Sequence, residues 1–214
     1  MRVALLSAPD WREAVPAARE RGAELICLPH LSFSPYVAAT RDRAGLEHAE
    51  RPLSRSFRDA VELAGDAWLA ASAYESEGEG VFYVTARLAH GGVVAACSRQ
   101  HHVEAAPGRF EQMFWSPGNE PFELAEAPWG RTALLVGCDL RMPAAWAEVA
   151  ERGAQVVLGG ASEPAERWAA TRRVAAGMAA AYGMTALIAN RTGSAAFDPA
   201  GADLARGDDT LFEL

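Results

Sequence analysis

The stretch Ala133-Leu134-Leu135-Val136-Gly137-Cys138-Asp139-Leu140-Arg141-Met142-Pro143 decides how this chain is read. Arg131 to Val136 is a short apolar run of the length and composition of a buried strand. Pro143 then opens a helix, because its fixed φ suits the first helical position and no N–H is needed there. Trp146, Val149 and Ala150 give that helix one apolar face. A strand passing through a tight turn into a helix predicts an α/β domain.

The same alternation runs outward in both directions. On the N-terminal side, Arg2 to Ser7 reads as a strand. Asp10 caps a helix, with Glu13 completing a capping box and Gly22 ending it. Glu24 to Leu28 reads as a second buried strand, and a helix with Phe57, Ala60, Val61 and Ala64 on one face stops at Gly65. Trp68 to Tyr74, Val81 to Ala89 and Val93 to Cys97 read as strands, the last two joined as a hairpin by His90-Gly91-Gly92. On the C-terminal side, Gln155 to Leu158 is a strand. The longest helix follows Ser162-Glu163-Pro164 and carries Trp168, Thr171, Ala175, Met178 and Tyr182 at spacings of three and four. Met184 to Ala189, Ser194 to Phe197 and Thr210 to Leu214 complete the strands. Hairpins among the strands exclude a purely parallel sheet. No repeat, linker or low-complexity segment divides the chain, so residues 1–214 are expected to form one domain.

Composition narrows the function. Half of the residues are hydrophobic, which fits a packed core and not a disordered chain. The formal net charge of -8 repels phosphate backbones, so no nucleic-acid partner is expected. The apolar run at the N-terminus is too short for a signal peptide, and no run approaches the ~20 residues of a membrane span. The three cysteines, Cys27, Cys97 and Cys138, lack paired spacing and read as reduced thiols of a cytoplasmic protein. No cofactor and no metal is expected. All 20 basic residues are Arg and Lys is absent, which suggests a GC-rich coding sequence.

Three segments carry chemistry. The first is Gly22-Ala23-Glu24-Leu25-Ile26-Cys27-Leu28-Pro29-His30. The second is Arg99-Gln100-His101-His102-Val103, with Pro107-Gly108-Arg109-Phe110-Glu111 and Phe114-Trp115-Ser116-Pro117-Gly118 behind it. The third is the opening stretch, 133–143. Together they resemble the three catalytic segments of the nitrilase, or carbon–nitrogen hydrolase, superfamily. The spacing of the second is similar to the N-carbamoyl-amine amidase branch. Ala189-Asn190-Arg191 and the run Gly193-Ser194-Ala195-Ala196-Phe197-Asp198-Pro199-Ala200-Gly201 extend the resemblance in the same order. An unrelated α/β domain would need five coincidences.

The resemblance implies a four-layer αββα sandwich of two mixed β-sheets. It also implies a catalytic Glu base, a Lys that holds the oxyanion and a Cys nucleophile. The matching positions here hold His30, Gln100 and Gly137. A histidine capping a strand end by hydrogen bonding would account for His30 equally well. Gln100 can donate to an oxyanion but adds no charge. Cys138 takes the position of the family's aromatic residue, one place beyond the nucleophile, and a one-residue step on a tight turn aims a side chain elsewhere. Arg99, His102 and Glu111 are kept, Glu111 at the place of a second supporting Glu.

Two functions follow. The first is a catalytically inactive member acting as a binding or accessory subunit, with a small amide or acid as its ligand. The second is a hydrolase of non-peptide C–N bonds in amides, nitriles or N-carbamoyl amines. It would use relocated groups: Cys138 as nucleophile, His30 or His101 as base, Glu111 as orienting group. Family members associate through the helix after the Cys turn and the long later helix, so a homodimer or higher homo-oligomer is expected.

Overall fold

The structure, a computed structural model, describes residues 1–7, 10–207 and 210–214. Its strands are β1 (Arg2–Leu5), β2 (Leu25–Cys27), β3 (Trp68–Gly78), β4 (Val81–His90), β5 (Val93–Arg99) and β6 (Leu124–Ala127). They continue with β7 (Gly130–Val136), β8 (Val156–Ala161), β9 (Thr185–Asn190), β10 (Ser194–Phe197), β11 (Asp203–Gly207) and β12 (Thr210–Glu213). The helices are α1 (Trp11–Glu20), α2 (Arg55–Ala64), α3 (Pro143–Glu151) and α4 (Ala165–Tyr182).

These strands make two six-stranded sheets, ordered β12-β1-β2-β3-β4-β5 and β11-β10-β9-β8-β7-β6. Each has three parallel strands, β1-β2-β3 in one and β7-β8-β9 in the other, with antiparallel strands beside them. Both sheets are therefore mixed, as expected. The parallel trios are linked through helices, since parallel neighbours need a crossover.

Three apolar clusters define the layers. The central one joins inward faces of both sheets, with Val3, Leu25 and Leu88 meeting Leu134, Leu158 and Leu187. A second seats Phe57 and Ala60 of α2 and Val15 of α1 on the outer face of the first sheet. A third seats Trp146 and Val149 of α3 and Trp168 and Ala175 of α4 on the outer face of the second. The order is helices, sheet, sheet, helices. Among the described residues no helix is long and apolar enough to cross a membrane.

Several boundaries differ from the sequence reading. β2 contracts to three residues, and β8 runs on through Gly159 and Gly160 to Ala161. The sequence reading ends this strand at Leu158, but the missing side chain of Gly160 lets β8 continue close to the backbone of Leu28 and His30. A Cβ on Gly160 would lie 3.1 Å from the His30 backbone nitrogen. β6 and β11 were not expected. Asp203–Gly207 holds Asp, Arg and Gly, poor strand formers, and is extended because it pairs with β10. Asp198 fixes that hairpin, its carboxylate accepting from the Ala200 and Ala202 amides at 2.9 and 2.8 Å.

Candidate functional site

His30 follows β2, Gly137 follows β7, Glu163 follows β8, and Asn190 and Arg191 lie at the end of β9. These are the carboxyl ends of the parallel strands, where open α/β sheets collect their ligands. Gln100, just past β5, completes the group.

Gln100 is the hub. It is fully buried, and its amide nitrogen donates to His102 O at 2.6 Å and to Glu111 Oε2 at 2.9 Å. On another side it meets Gly137, where a Cβ would stand 2.9 Å from its Oε1. It also faces the His30 ring without completing a hydrogen bond in geometry. The three positions singled out in the sequence, His30, Gln100 and Gly137, thus converge with Glu111.

Gly137 opens a 3-10 turn, Gly137–Arg141, directly after β7. Its φ is 56°, a left-handed value that glycine adopts freely and other residues resist. The turn is clamped by Asp139. That fully buried carboxylate accepts from the His101 amide at 3.0 Å, the His102 amide at 2.8 Å and His102 Nδ1 at 2.8 Å. The hydrogen bond that His102 Nδ1 donates to Asp139 raises the His102 imidazole above its ordinary pKa.

His30 is fully buried, and among the described residues neither ring nitrogen has a hydrogen-bond partner. Trp115 and Tyr36 flank it with ring centroids at 6.3 Å. Burial, helped by the charges of Arg109 and Arg191, pushes its pKa down to about 3. The unfolded chain then binds the proton first. Stability due to the neutral ring is complete above the ordinary value of 6.5 and is lost as pH falls towards 3. Between about pH 7.5 and pH 5 this single group should remove about 2 kcal/mol of folding free energy. Urea unfolding at the two pH values checks this. The wild type should lose that much more than His30→Gln, and parallel losses would refute a neutral buried His30.

Around Glu111 lies a buried ion-pair network. Glu111 Oε1 accepts from Tyr36 Oη at 2.7 Å, and its Oε2 accepts from the Glu104 amide at 3.1 Å. Burial pushes the Glu111 carboxyl up, against these hydrogen bonds and the charge of Arg109. Arg109 contacts Tyr36 Oη at 3.0 Å, Glu104 at 3.4 Å, Glu111 at 3.6 Å, and Glu163 more closely still. Arg141 and Arg167 each bond Glu104, at 2.7 and 2.9 Å, and both also pair with Glu163. Burial opposes ionisation of Glu104, yet the hydrogen bonds from Arg141 and Arg167 hold its carboxyl below the usual range. Asn190 orients Glu163 by accepting from its amide at 2.7 Å, and Arg191 ties down the chain after His30 through Leu31 O and Ser34 O.

The relocated nucleophile set does not assemble. Cys138 is buried, and its sulfur lies 3.7 Å from Arg141 Nη2. Among the described residues no histidine hydrogen-bonds it. Burial pushes the thiol up to about 12 despite the Arg141 charge. The His101 ring stacks on Phe122 at 3.8 Å. Among the described residues no group of three or more His, Cys, Asp or Glu side chains is arranged to hold a metal ion. A cavity of about 390 Å³ reaches the network from outside, lined by Tyr36, Arg109, Glu163, Arg167 and Arg191 among others. His30, Gln100 and Gly137 do not line it.

Sequence reasoning missed Glu104, Glu163, Arg141 and Arg167. Glu163 was visible only as a helix-start residue, and nothing local marks a carboxylate two of whose partners, Arg109 and Arg141, come from elsewhere in the chain.

The family model for carbon–nitrogen hydrolases matches residues 7–210. No curated protein matches the sequence. Among solved structures, a carbon–nitrogen hydrolase from Helicobacter pylori G27 gives a TM-score of 0.86 at 20% identity, over 98% of this chain and 86% of that one. A mutant of the Nesterenkonia AN1 amidase from the nitrilase superfamily gives 0.82 at 25% identity, over 99% and 88%. Another mutant of that amidase, showing Michael addition of acrylamide at its active site cysteine, gives 0.80 at 23%, over 99% and 91%. With the family model running nearly end to end over two mixed sheets, this chain belongs to the carbon–nitrogen hydrolase, or nitrilase, superfamily.

Proposed function

We propose that this chain is a non-hydrolytic member of the superfamily, a binding or accessory subunit that recognises a small amide or acid and does not cleave it. The carrying observation is the state of the cluster: Gly137 offers no side chain, and His30, Gln100 and Glu111 are all fully buried around it. In this reading His30, Gln100 and Gly137 stand where the superfamily keeps its Glu, Lys and Cys. The spacing of residues 99–111 supports descent from the N-carbamoyl-amine amidase branch.

Covalent catalysis needs a nucleophile near its ionisation range. A thiol pushed up to about 12, next to Arg141 and hydrogen-bonded to no histidine among the described residues, is far from that condition. Binding chemistry does survive. His30 Nδ1, His30 Nε2 and Gln100 Oε1 are buried polar atoms without partners. Each such atom costs about 1–3 kcal/mol until something pairs with it. A carboxamide carries both a donor and an acceptor and suits that set. The amidases among the structural relatives favour the second reading, in which some hydrolysis remains.

Purified protein should release no ammonia from simple amides, nitriles or N-carbamoyl amines above the no-enzyme rate. Loss of nucleophile and base together typically removes several orders of magnitude. Turnover abolished by Cys138→Ala would favour the hydrolase. Turnover that survives that change would overturn both readings.

A further inference from the structure

The opposite end of the strands carries a second cleft, of about 650 Å³. Glu24 precedes β2, Asp66 and Trp68 stand at the start of β3, and Trp129 precedes β7. His30 and Gly137 follow the far ends of β2 and β7. Eight residue steps along β7 place Trp129 roughly 25 Å from Gly137. The cleft is therefore separate from the buried cluster. Its volume is that of a small-molecule site.

Its walls are chemically specific. Trp68 is fixed on one face by the His90 ring, stacked at 4.6 Å and 9°. Trp129 stands against Trp68 at 5.2 Å and 79°, so the two indoles form a right-angled corner. The corner lines the cleft with aromatic surface that a third ring can pack against. Charges of both signs border it. Arg19, Glu24 and Asp66 all line the cleft. The Arg19 guanidinium lies against Gly65, where a Cβ would be 3.2 Å from Nη1. Among the described residues, neither Arg19 nor Asp66 makes an ion pair, although Asp66 is the next residue. An unpaired cation and an unpaired anion beside an aromatic corner match a molecule that holds all three complements.

We propose that this cleft binds a free α-amino acid with an aromatic side chain. Asp66 and Glu24 take the ammonium, Arg19 takes the carboxylate, and the ring enters the Trp68–Trp129 corner. A bare organic cation would leave Arg19 unanswered, and a bare carboxylate would face two acidic groups.

Isothermal titration of the whole chain with L-phenylalanine, phenethylamine and 3-phenylpropionate tests this. L-phenylalanine should bind saturably, at least fivefold more tightly than either analogue that lacks one charge. Trp129→Ala and Asp66→Asn should each weaken it at least fivefold, while His30→Gln at the other end leaves it unchanged. Asp66 is exposed, so its variant decides the matter should Trp129→Ala fail to fold. Absence of saturable L-phenylalanine binding overturns the proposal, as does equal binding of phenethylamine. Binding indifferent to Asp66→Asn overturns it too.

Discussion

Arg109→Leu should destabilise the fold by about 3–5 kcal/mol, the usual cost of removing one partner from a buried ion pair. The side chain is 5% exposed, and it bridges Glu104, Glu111, Glu163 and Tyr36. Its loss is not felt equally by the three carboxylates. Glu104 and Glu163 keep Arg141 and Arg167. Glu111, fully buried, has no other ion-pair partner among the described residues. Leucine there would strand a carboxylate whose pKa burial already raises. Two consequences follow. Adding Glu111→Gln to Arg109→Leu should return more than 1 kcal/mol, because the amide needs no counter-charge, a recovery of the size expected for coupled neighbours. The deficit should also shrink as pH falls, since a protonated Glu111 no longer needs the cation. Urea titrations of the two variants measure both effects. A loss below about 1 kcal/mol, or a double variant no better than the single one, would mean that the network is solvated and the site open.

That network shows where a sequence stops being readable. The fold is written locally. Asp10 accepts from the Arg12 amide, Ser54 from the Phe57 amide, and Gly65 closes α2 at a φ of 60°. Each signal acts over a few residues, so each could be read without partners. The convergence of His30, Gln100, Gly137 and Glu111 was legible because the motif order resembles a known family, not because any one residue announces it. The ionic shell was illegible for a physical reason. Glu104 and Glu163 are 59 residues apart by number, and their burial is tolerable only because Arg109, Arg141 and Arg167 arrive from three different elements. Nothing in Ser162-Glu163-Pro164 distinguishes such a carboxylate from an ordinary helix-start residue. Likewise β11 exists because β10 pairs with it, and its own composition argues against a strand.

If His30, Gln100 and Gly137 hold the catalytic positions, as the proposed function has it, placing Glu, Lys and Cys there should produce a large change in thiol reactivity. In the triple variant His30→Glu, Gln100→Lys, Gly137→Cys, the new thiol at position 137 should react with iodoacetamide at neutral pH at least about a hundredfold faster than Cys138. The reasoning begins with Cys138, whose thiol is pushed up to about 12 and is almost never ionised at pH 7. A thiol beside a lysine ammonium falls towards the neutral range instead. Geometry sets the order in which the changes are tolerated. A Cβ on Gly137 would stand 2.9, 3.0 and 3.1 Å from the Oε1, Cδ and Nε2 atoms of Gln100. All three belong to the movable end of one side chain, so Gly137→Cys alone should be the least stable variant and the change at Gln100 should relieve it. The left-handed backbone at Gly137 adds about 1–2 kcal/mol that no neighbour can remove. Strand-to-helix elbows accept that strain because it lifts the nucleophile out of the strand. Substrate turnover should stay far below that of an intact enzyme, because restoring the reacting groups does not restore the contacts that orient a substrate on them. Peptide mapping of the alkylated protein gives both rates from one sample. If position 137 reacts no faster than Cys138, then Gly137 does not occupy the nucleophile's place, and the alignment that supports the non-hydrolytic reading fails with it.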